Sequence, residues 1–337
     1  MTKELKGYGR EFIAETLYFG GGTPSLMPLE YVKQFIEISR KRYSLNNNAE
    51  ITLECNPENL RGIDFKILSD IGINRLSIGI QRADKSMLSL LGRSEFSFEI
   101  VSNFIKELRK YKFSLSIDFI YGIQGDSVKK SGSELRNIIS AIDPEHISLY
   151  ALELKPGTLF YSKYSDDSLP DDEGFSKIYH GLRKILSDSG YYQYEISNFC
   201  KNNEYSRHNM KYFDNEEYIG IGPSAWSYKD RIRYSNISDI EKYIDSIVKG
   251  HRKYDFFEKI YREKRLSETI MMKFRKNQGV ELSILNEFND KELKDWNEIK
   301  NKLIKQNILI EDKSCIRINP EYFFVSNSII SELISVF

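Results

Sequence analysis

The chain has 337 residues, of which 40% are hydrophobic and 29% are charged, a balance typical of a globular protein with one large domain and a smaller one. Its 49 basic residues equal its 49 acidic residues, so the net charge of +0 gives no general attraction to nucleic acid or to an acidic membrane. The three cysteines are odd in number and far apart, which argues against a disulfide scaffold and against a CxxC-type metal site.

Short apolar runs alternate with helical patterns along the first half of the chain. The runs predicted as strands are 16–19, 50–54, 75–80, 114–119 and 146–151. The segments predicted as helices, because their apolar residues recur at helical spacing, are 28–43, 62–71, 97–111 and 128–142. This alternation predicts βα units around a parallel sheet. Without an obvious Rossmann fingerprint, five such strands favour part of a barrel.

The second half of the chain has a different organisation. A helix is predicted over 171–189, followed by an irregular aromatic stretch over 191–228. Charged helical segments are predicted over 239–249, 258–276 and 291–306, then a hairpin from the runs 308–311 and 316–318, and a last helix over 321–336. We predict two domains, 1–237 with the barrel and its extension, and 238–337 as a helical, winged-helix-like module. Its basic residues are offset by acidic ones, so we expect no nucleic-acid partner.

The sequence gives no sign of a membrane-spanning or exported protein. No apolar run reaches the length of a transmembrane helix, and the first residues, MTKELKGYGREF, lack the apolar core of a signal peptide. We therefore predict a cytoplasmic location without a transmembrane segment. Peripheral contact with a membrane stays open.

Polar or glycine residues follow the predicted strands at their carboxyl ends. The first strand runs into 20–23, GGGT, and the next three end near Glu54, Gln81 and Asp118. In a βα barrel these ends meet on one face, where active sites lie. Backbone N–H groups of a glycine loop can cradle an anion, although a tight turn would also explain the glycines. Arg93 could bind a ligand carboxylate, or it could be an ordinary surface arginine at a helix end.

Several sequence blocks, in order from about residue 16 to 228, resemble the HemW heme chaperones, in the coproporphyrinogen III oxidase-like branch of the radical S-adenosylmethionine (SAM) superfamily. The blocks that carry the resemblance are GGGTPSLM, ITLECNPENL, NRLSIGIQ with LLGR downstream, IDFIYGIQGD, PEHISLYALELKPGT, GYYQYEISNF, SRHNMKY and YIGIGPSAWSY. The resemblance implies an α/β fold, a partial (β/α)6 radical-SAM-type barrel that lacks its first strand here, with the C-terminal helical module.

The resemblance also implies binding residues. The residues expected to bind SAM, or a second ligand beside it, are Gly21, Gly22, Thr23, Glu54, Gln81, Arg93 and Asp118. The family's heme motif HNxxYW corresponds to HNMKYF here, so His208 is the candidate heme ligand, since a neutral imidazole can bind iron axially. A loop histidine with only a structural role is the alternative. Two aromatic positions depart from the family pattern: Phe213 replaces a tryptophan and Trp226 replaces a histidine.

A third departure concerns the iron–sulfur cluster. The family holds a [4Fe–4S] cluster on a CxxxCxxC loop upstream of the glycine loop, and no cysteine precedes Cys55 in this sequence. Cys55, Cys200 and Cys315 do not have that spacing. We expect the cluster only if a segment upstream of this sequence supplies its cysteines.

The resemblance and the cysteine spacing are compatible with three functions. The first is a HemW-like chaperone that binds heme and SAM and delivers heme to an acceptor protein of unknown identity. The second is an oxygen-independent coproporphyrinogen III oxidase, which decarboxylates propionates through a SAM-derived radical. The third is a heme-binding protein without cluster and without SAM chemistry.

Overall fold

A computed structural model describes residues 1–9, 13–93, 98–164 and 168–337, with only the backbone of residues 99, 100 and 159. The helices are α1 (Thr2–Lys6), α2 (Leu29–Arg42), α3 (Phe65–Ile71), α4 (Lys85–Leu90), α5 (Phe98–Leu108), α6 (Val128–Ile142), α7 (Leu159–Lys163), α8 (Asp172–Asp188), α9 (Arg207–Phe213), α10 (Ile240–Lys249), α11 (Arg262–Lys273), α12 (Asp290–Lys305) and α13 (Ser326–Ile334). The strands are β1 (Thr16–Phe19), β2 (Glu50–Cys55), β3 (Arg75–Gln81), β4 (Ser114–Tyr121), β5 (His146–Ala151), β6 (Tyr192–Gln193), β7 (Asn198–Cys200), β8 (Trp226–Lys229), β9 (Ile232–Asn236), β10 (Tyr254–Lys259), β11 (Val280–Glu281), β12 (Leu309–Glu311) and β13 (Cys315–Ile318).

The chain forms two compact units. We call Glu15–Glu37 with Asn46–Tyr205 the sheet unit. We call Met1–Ala14, Ile38–Leu45 and Ser206–Phe337 the terminal unit. The predicted domain boundary between 237 and 238 stays a prediction.

The sheet unit is built on a seven-stranded sheet in the order β1-β2-β3-β4-β5-β7-β6. Strands β1 to β5 are parallel neighbours, whereas β7 runs antiparallel to both β5 and β6. Helices alternate with the parallel strands, and side chains such as those of Asp64, Ser127 and Asp171 cap their amino ends. The predicted βα alternation is confirmed. The start predicted for the third helix, Ser97, lies outside the described residues.

The two faces of this sheet differ in chemistry. One face is apolar and buried, with Leu53, Leu76 and Ile117 among its residues. The alternate positions on the same strands are mostly polar: Tyr18, Thr52, Glu54, Arg75, Ser77, Ser116, Asp118, His146 and Ser148. Parallel sheets covered on both sides usually carry apolar residues on both faces, so a polar second face indicates a place for ligand-binding groups.

At the amino ends of the strands, side chains of the polar face form buried hydrogen bonds. There the Ser116 hydroxyl and one His146 ring nitrogen lie 2.7 Å apart, and the other ring nitrogen lies 2.8 Å from the Tyr194 hydroxyl. Burial lowers the pKa of His146 well below its usual value, so its ring is neutral at pH 7. The carboxylates of Glu54 and Asp118 lie further towards the carboxyl ends of their strands.

The terminal unit contains two small antiparallel sheets, in the orders β10-β9-β8 and β11-β13-β12. Its first helix is held by the buried carboxylate of Glu4. That carboxylate accepts hydrogen bonds from the Gly222 N–H at 2.9 Å, from Asn236 Nδ2 at 2.7 Å and from the Tyr243 hydroxyl. Each carboxylate oxygen therefore has a donor, as the burial of a charge requires.

Several predicted elements differ from those observed in this unit. The first two residues of the stretch predicted as a helix over 258–276 are the end of strand β10, and the helix itself is Arg262–Lys273. Strand β8, which starts within the stretch 191–228 predicted to be irregular, forms a hairpin with β9. The last helix begins at Ser326, because Pro320–Val325 forms a separate 3-10 helix capped by Asn319. The predicted hairpin is confirmed by the pairing of β12 with β13.

Among residues 1–9, 13–93, 98–164 and 168–337, no helix is long and apolar enough to cross a membrane.

Candidate functional site

The glycine loop after β1 is held by Glu54 at the end of β2. The Glu54 carboxylate accepts a hydrogen bond from the Tyr18 hydroxyl at 2.6 Å and another from the Gly21 N–H at 3.1 Å. Gly21 and Gly22 have left-handed backbones, with φ of 80° and 63°. A Cβ atom at either position would meet nothing within 4 Å, so this stretch of backbone borders open space. An exposed, glycine-lined backbone beside a carboxylate suits the close approach of a polar ligand.

Thr23 completes the loop on its other side. Its hydroxyl accepts a hydrogen bond from Asn56 Nδ2 at 3.5 Å, and Asn56 follows the end of β2. The 3-10 helix that starts at Pro24 follows directly, so the chain leaves the loop in a fixed direction.

Asp118 lies on β4, on the same polar face as Glu54. Burial raises the pKa of Asp118 to about 6, a hydrogen bond with Ser148 lowers it, the Glu54 carboxylate raises it and the Arg93 guanidinium lowers it. These influences place Glu54, Asp118 and Arg93, all predicted site residues, in one electrostatic neighbourhood. A cationic group of a ligand between the two carboxylates would be stabilised by both.

Two tyrosines belong to the same neighbourhood. Burial and the charges of Glu54 and Asp118 raise the pKa of Tyr18, so that its hydroxyl stays protonated. Burial and, to a lesser extent, the charge of Asp118 raise the pKa of Tyr150, on β5, to about 12. The Tyr18 proton is donated to Glu54 and orients that carboxylate, while the neutral phenol of Tyr150 can donate a hydrogen bond to a ligand.

Gln81 and Arg93 meet at Gly79 on β3. Arg93 Nη1 donates to the Gly79 carbonyl at 3.1 Å. A Cβ at Gly79 would lie 3.0 Å from Gln81 Nε2, a tight contact, so the glycine leaves room for that amide. Gln81 has a left-handed backbone with φ of 66°, at an irregularity in the pairing of β3 with β4. Its buried Oε1 has no hydrogen-bond partner among the described residues, which marks a place for a donor from a ligand.

The unusual backbone at Gln81 is followed by a buried ion network. Arg82 is fully buried, and its guanidinium bonds Asp126 Oδ2 at 2.9 Å and Glu134 Oε2 at 3.1 Å. Glu134 also accepts the N–H groups of Ala83 and Asp84, each at 3.0 Å. The network therefore ties the end of β3 to the start of α6.

His208, the predicted heme ligand, lies in the terminal unit on helix α9, with Ser206 as the helix cap. Its Nε2 is 3.0 Å from the Tyr212 hydroxyl, and the two rings meet edge to face at 5.2 Å. Burial, with a smaller contribution from Lys211, lowers the pKa of His208 to about 4. The imidazole is therefore neutral at pH 7, the form that binds iron.

The two aromatic positions that depart from the family pattern are also in the terminal unit. Phe213 is the half-buried last residue of α9. Trp226 begins β8 and is 47% exposed, with its ring 5.0 Å from that of Phe256.

The described residues do not fit an iron–sulfur cluster. Cys55 and Cys200 are buried on strands of the sheet unit, and Cys315 is on β13 of the terminal unit. Burial raises the pKa of the Cys55 and Cys200 thiols to about 12 and about 11, which disfavours the thiolates that ligate iron. Within the part of the chain that the structure describes, no group of three or more metal-ligating side chains could hold a metal ion.

The structure thus brings Gly21, Glu54, Asp118 and Arg93 into one neighbourhood and places Gln81 beside Arg93. Gly22 follows Gly21 in the loop, and a Cβ there would meet no described atom within 4 Å. Prediction from the sequence did not select Tyr18 and Gly79. The signal that could have found them is the alternation along the strands, because both occupy positions of the polar face.

Comparison with known proteins first identifies the superfamily and the fold. The Radical SAM superfamily profile matches residues 1–130. The structure is similar to that reported as "Coproporphyrinogen III oxidase (HemN) from Escherichia coli is a Radical SAM enzyme", with a TM-score of 0.84 and 19% identity over 100% of this chain and 82% of that one. The fold is thus that of a radical SAM protein, as predicted.

Proteins of similar sequence identify the family within that superfamily. The chain is 29% identical to a protein of Lactococcus lactis subsp. lactis over 95% of this chain and 84% of that protein, and 31% identical to one of Bacillus subtilis over 79% and 71%. Both relatives are named "Heme chaperone HemW". A Buchnera aphidicola protein of the same name is 33% identical over 80% of this chain and 74% of its own length. The chain belongs to the HemW family.

Proposed function

We propose that this protein is a heme chaperone that binds heme and SAM and hands heme to acceptor proteins. Its relatives from three bacterial species carry the name "Heme chaperone HemW". The observation that carries the SAM part is the glycine loop, with its Gly21 N–H bound to Glu54 at 3.1 Å and open space beside Gly21 and Gly22.

The polar face of the sheet unit supplies the groups that SAM requires. The glycine loop would hold the amino-acid part of SAM, because its backbone carries no side chains at Gly21 and Gly22 and a polar ligand can approach it closely. Glu54 and Asp118 would bind the amine and the ribose hydroxyls, and Arg93 would balance the negative charge of the site. Gln81 would accept a hydrogen bond through its Oε1, for which the described part of the chain supplies no donor.

Heme would bind through His208. Its neutral ring is half-buried on α9 and positioned by the Tyr212 hydroxyl. A bound heme supplies an iron with an open axial position, and the residue's part is to offer a deprotonated nitrogen without having to release a proton at pH 7. No step of the proposal runs through an iron–sulfur cluster, because the described residues do not fit one.

Heme titration followed at the Soret band tests the heme site. His208→Ala should weaken heme binding at least about tenfold, since a lost axial bond exceeds about 1.4 kcal/mol. The matched control is His251→Ala, which removes an exposed histidine of the same unit. An unchanged Soret spectrum and affinity in His208→Ala would rule out His208 as the ligand.

Calorimetric titration with SAM tests the second site. Glu54→Gln should weaken SAM binding about tenfold, because a charge-assisted contact to the ligand and to the loop is lost. Glu58→Gln, an exposed carboxylate just beyond β2, is the control. If SAM does not bind the wild-type chain although heme does, the protein is a heme-binding protein without SAM chemistry, the candidate favoured by the poor fit to a cluster.

Delivery is tested by the kinetics of heme transfer to a heme-free b-type cytochrome, with heme-free myoglobin as a passive scavenger. A chaperone transfers heme within a complex, so the rate should rise with cytochrome concentration. A rate equal to that with the scavenger at every concentration would show simple dissociation and contradict delivery.

A further inference from the structure

Arg75 is a buried cation at the amino end of the sheet's polar face. It is the first residue of β3, and only 3% of its surface is exposed. Its Nη1 donates to the Ser114 hydroxyl and to the Glu204 carbonyl, each at 3.2 Å, and both acceptors are neutral. Within the described part of the chain, no carboxylate pairs with this guanidinium. A buried charge without an opposite charge is costly, so Arg75 calls for an anion.

The titratable groups around Arg75 do not balance its charge. His146 and Cys200, on β5 and β7, lie close enough for the Arg75 charge to lower their pKa values. Burial keeps both neutral at pH 7, because it lowers the pKa of His146 well below its usual value and raises that of Cys200 to about 11. On β2, Glu50 and Glu54 share the polar face, but neither is an ion-pair partner of Arg75 among the described contacts.

Two buried donors remain, and they belong to neighbouring side chains. Arg75 Nη2 and Thr52 Oγ1 have no hydrogen-bond partner among the described residues. Thr52 is fully buried and lies directly opposite Arg75 in the pairing of β2 with β3, so both side chains are on the polar face. A guanidinium can only donate and a hydroxyl can donate, so a single acceptor can serve both groups.

We propose that a chloride ion binds to Arg75 Nη2 and Thr52 Oγ1 as a structural ion of the sheet unit. One negative charge balances the one charge of Arg75, whereas a divalent anion would bring a second charge that no cation meets. Carboxylates and phosphates prefer two parallel bonds from one guanidinium. Nη1 already has two acceptors here, which leaves Nη2 for a single bond to a spherical anion.

This site is separate from the proposed SAM site. Arg75 begins β3, whereas Gln81 ends the same strand, and Glu54 and Asp118 lie further towards the carboxyl ends of their strands. Chloride binding therefore requires neither SAM nor heme.

The dependence of stability on chloride tests the proposal in the full chain. Urea unfolding is measured at a fixed total salt concentration, with chloride replaced stepwise by gluconate, an anion too bulky for a buried site. An ion that binds only the folded protein stabilises it by mass action. The unfolding equilibrium constant of the wild type should therefore fall about tenfold for each tenfold rise in chloride above the dissociation constant.

Two variants locate the effect. Thr52→Val keeps the branched shape of the side chain and removes its hydroxyl, so it should weaken chloride binding about tenfold. Arg75→Met removes the charge and should abolish the chloride dependence. Arg61→Met removes an exposed arginine of the same unit and should keep the dependence of the wild type. Circular dichroism shows that each variant is folded before it is compared.

Bromide provides a direct observation that does not depend on any variant. Crystals of the wild type grown in bromide should show an anomalous peak within hydrogen-bond distance of Arg75 Nη2 and Thr52 Oγ1. A wild type equally stable in chloride and gluconate would overturn the proposal, since water would then satisfy these groups. Bromide peaks confined to the surface, or an unchanged chloride dependence in Thr52→Val or Arg75→Met, would also overturn it.

Discussion

At the scale of single residues, the site holds charge where burial opposes it. Asp118 has a pKa raised to about 6, chiefly by burial, although Ser148 and Arg93 favour its ionised form. Such a carboxylate costs folding free energy at neutral pH, and it is retained where a ligand needs it. The predicted role of Asp118 in SAM binding thus has a measurable price in stability.

Asp118→Asn should increase stability at pH 7. The folded-state pKa of about 6 lies above the unfolded value near 3.9, so the penalty is fully present above pH 6 and is relieved as the pH falls through 6 towards 4. The variant should gain about 1–3 kcal/mol in free energy of unfolding at pH 7, after a discount for partial exposure, and nearly nothing at pH 4. Urea unfolding at the two pH values measures this.

SAM titration of the same variant gives the functional half of that prediction. Asp118→Asn should bind SAM more weakly at pH 7 while it is more stable. Glu58→Gln, which changes an exposed carboxylate, should alter neither quantity. A loss of stability at pH 7 in Asp118→Asn would show that the carboxylate is better satisfied than its raised pKa indicates.

The carboxylates of the site were predictable from the sequence, but the residues that surround them were not. Glu54 and Asp118 follow from their places near strand ends, since those ends converge in parallel βα folds. Tyr18 and Gly79 depend on cross-strand neighbours, and a single sequence does not give the register that makes two residues neighbours. The left-handed backbone of Gln81 was also beyond prediction, because a non-glycine residue carries no signal for it.

At the scale of elements, strand-to-helix turns position the site, and two glycines show how differently such turns respond to change. Gly22 and Gly122 both have left-handed backbones, with φ of 63° and 79°. A Cβ at Gly22 would meet nothing within 4 Å, whereas at Gly122 it would lie 1.9 Å from the Phe175 ring. A residue with a Cβ would therefore strain the backbone at both positions, but of the two it would overlap another side chain only at position 122.

Alanine at each glycine separates the two effects. Gly22→Ala should lower the free energy of unfolding by about 1 kcal/mol, because a residue with a Cβ is strained in a left-handed backbone. Gly122→Ala should cost several kcal/mol more, because helix α8 must move or Phe175 must leave its place against Tyr121. Urea unfolding of both variants measures the difference. Equal losses would mean that Phe175 adapts freely.

Elements with strong periodicity were predictable, and elements defined by their partners were not. Helix α6 matches its predicted bounds, 128–142, because its apolar spacing is regular and Ser127 caps it. Strand β10 is not among the predicted strands, and its last two residues fall within the helix predicted over 258–276. Its charged and aromatic residues do not alternate in the way of a half-buried strand. It is a strand because β9 offers it hydrogen bonds, which is a tertiary effect.

At the largest scale, the sheet unit is tied together by contacts between residues far apart in sequence. The general fold follows from the repeated βα rhythm. The ion network of Arg82 does not, because its partners Asp126 and Glu134 lie on a later loop and helix, and no local pattern links them to β3. The network holds the chain just after Gln81, so the site depends on it.

Arg82→Met should destabilise the protein by about 3–5 kcal/mol. The change removes the cation between two buried carboxylates, and an uncompensated buried charge is costly. Lys66→Met is the matched control. Lys66 Nζ lies 2.7 Å from Asp70 Oδ2, but both side chains are exposed to solvent, so the loss of this pair should change stability far less. Urea unfolding at pH 7 measures both.

A double-mutant cycle of Arg82→Met with Glu134→Gln separates the ion pair from the fit of the methionine side chain. If the charges interact directly, the two losses should be less than additive by about 1–3 kcal/mol, because each change alone leaves a charge without its partner. Additive losses, or a loss in Arg82→Met no larger than in Lys66→Met, would assign the stability of this region to packing. SAM affinity should fall with Arg82→Met even where the protein remains folded, since Gln81 then loses the anchor next to it.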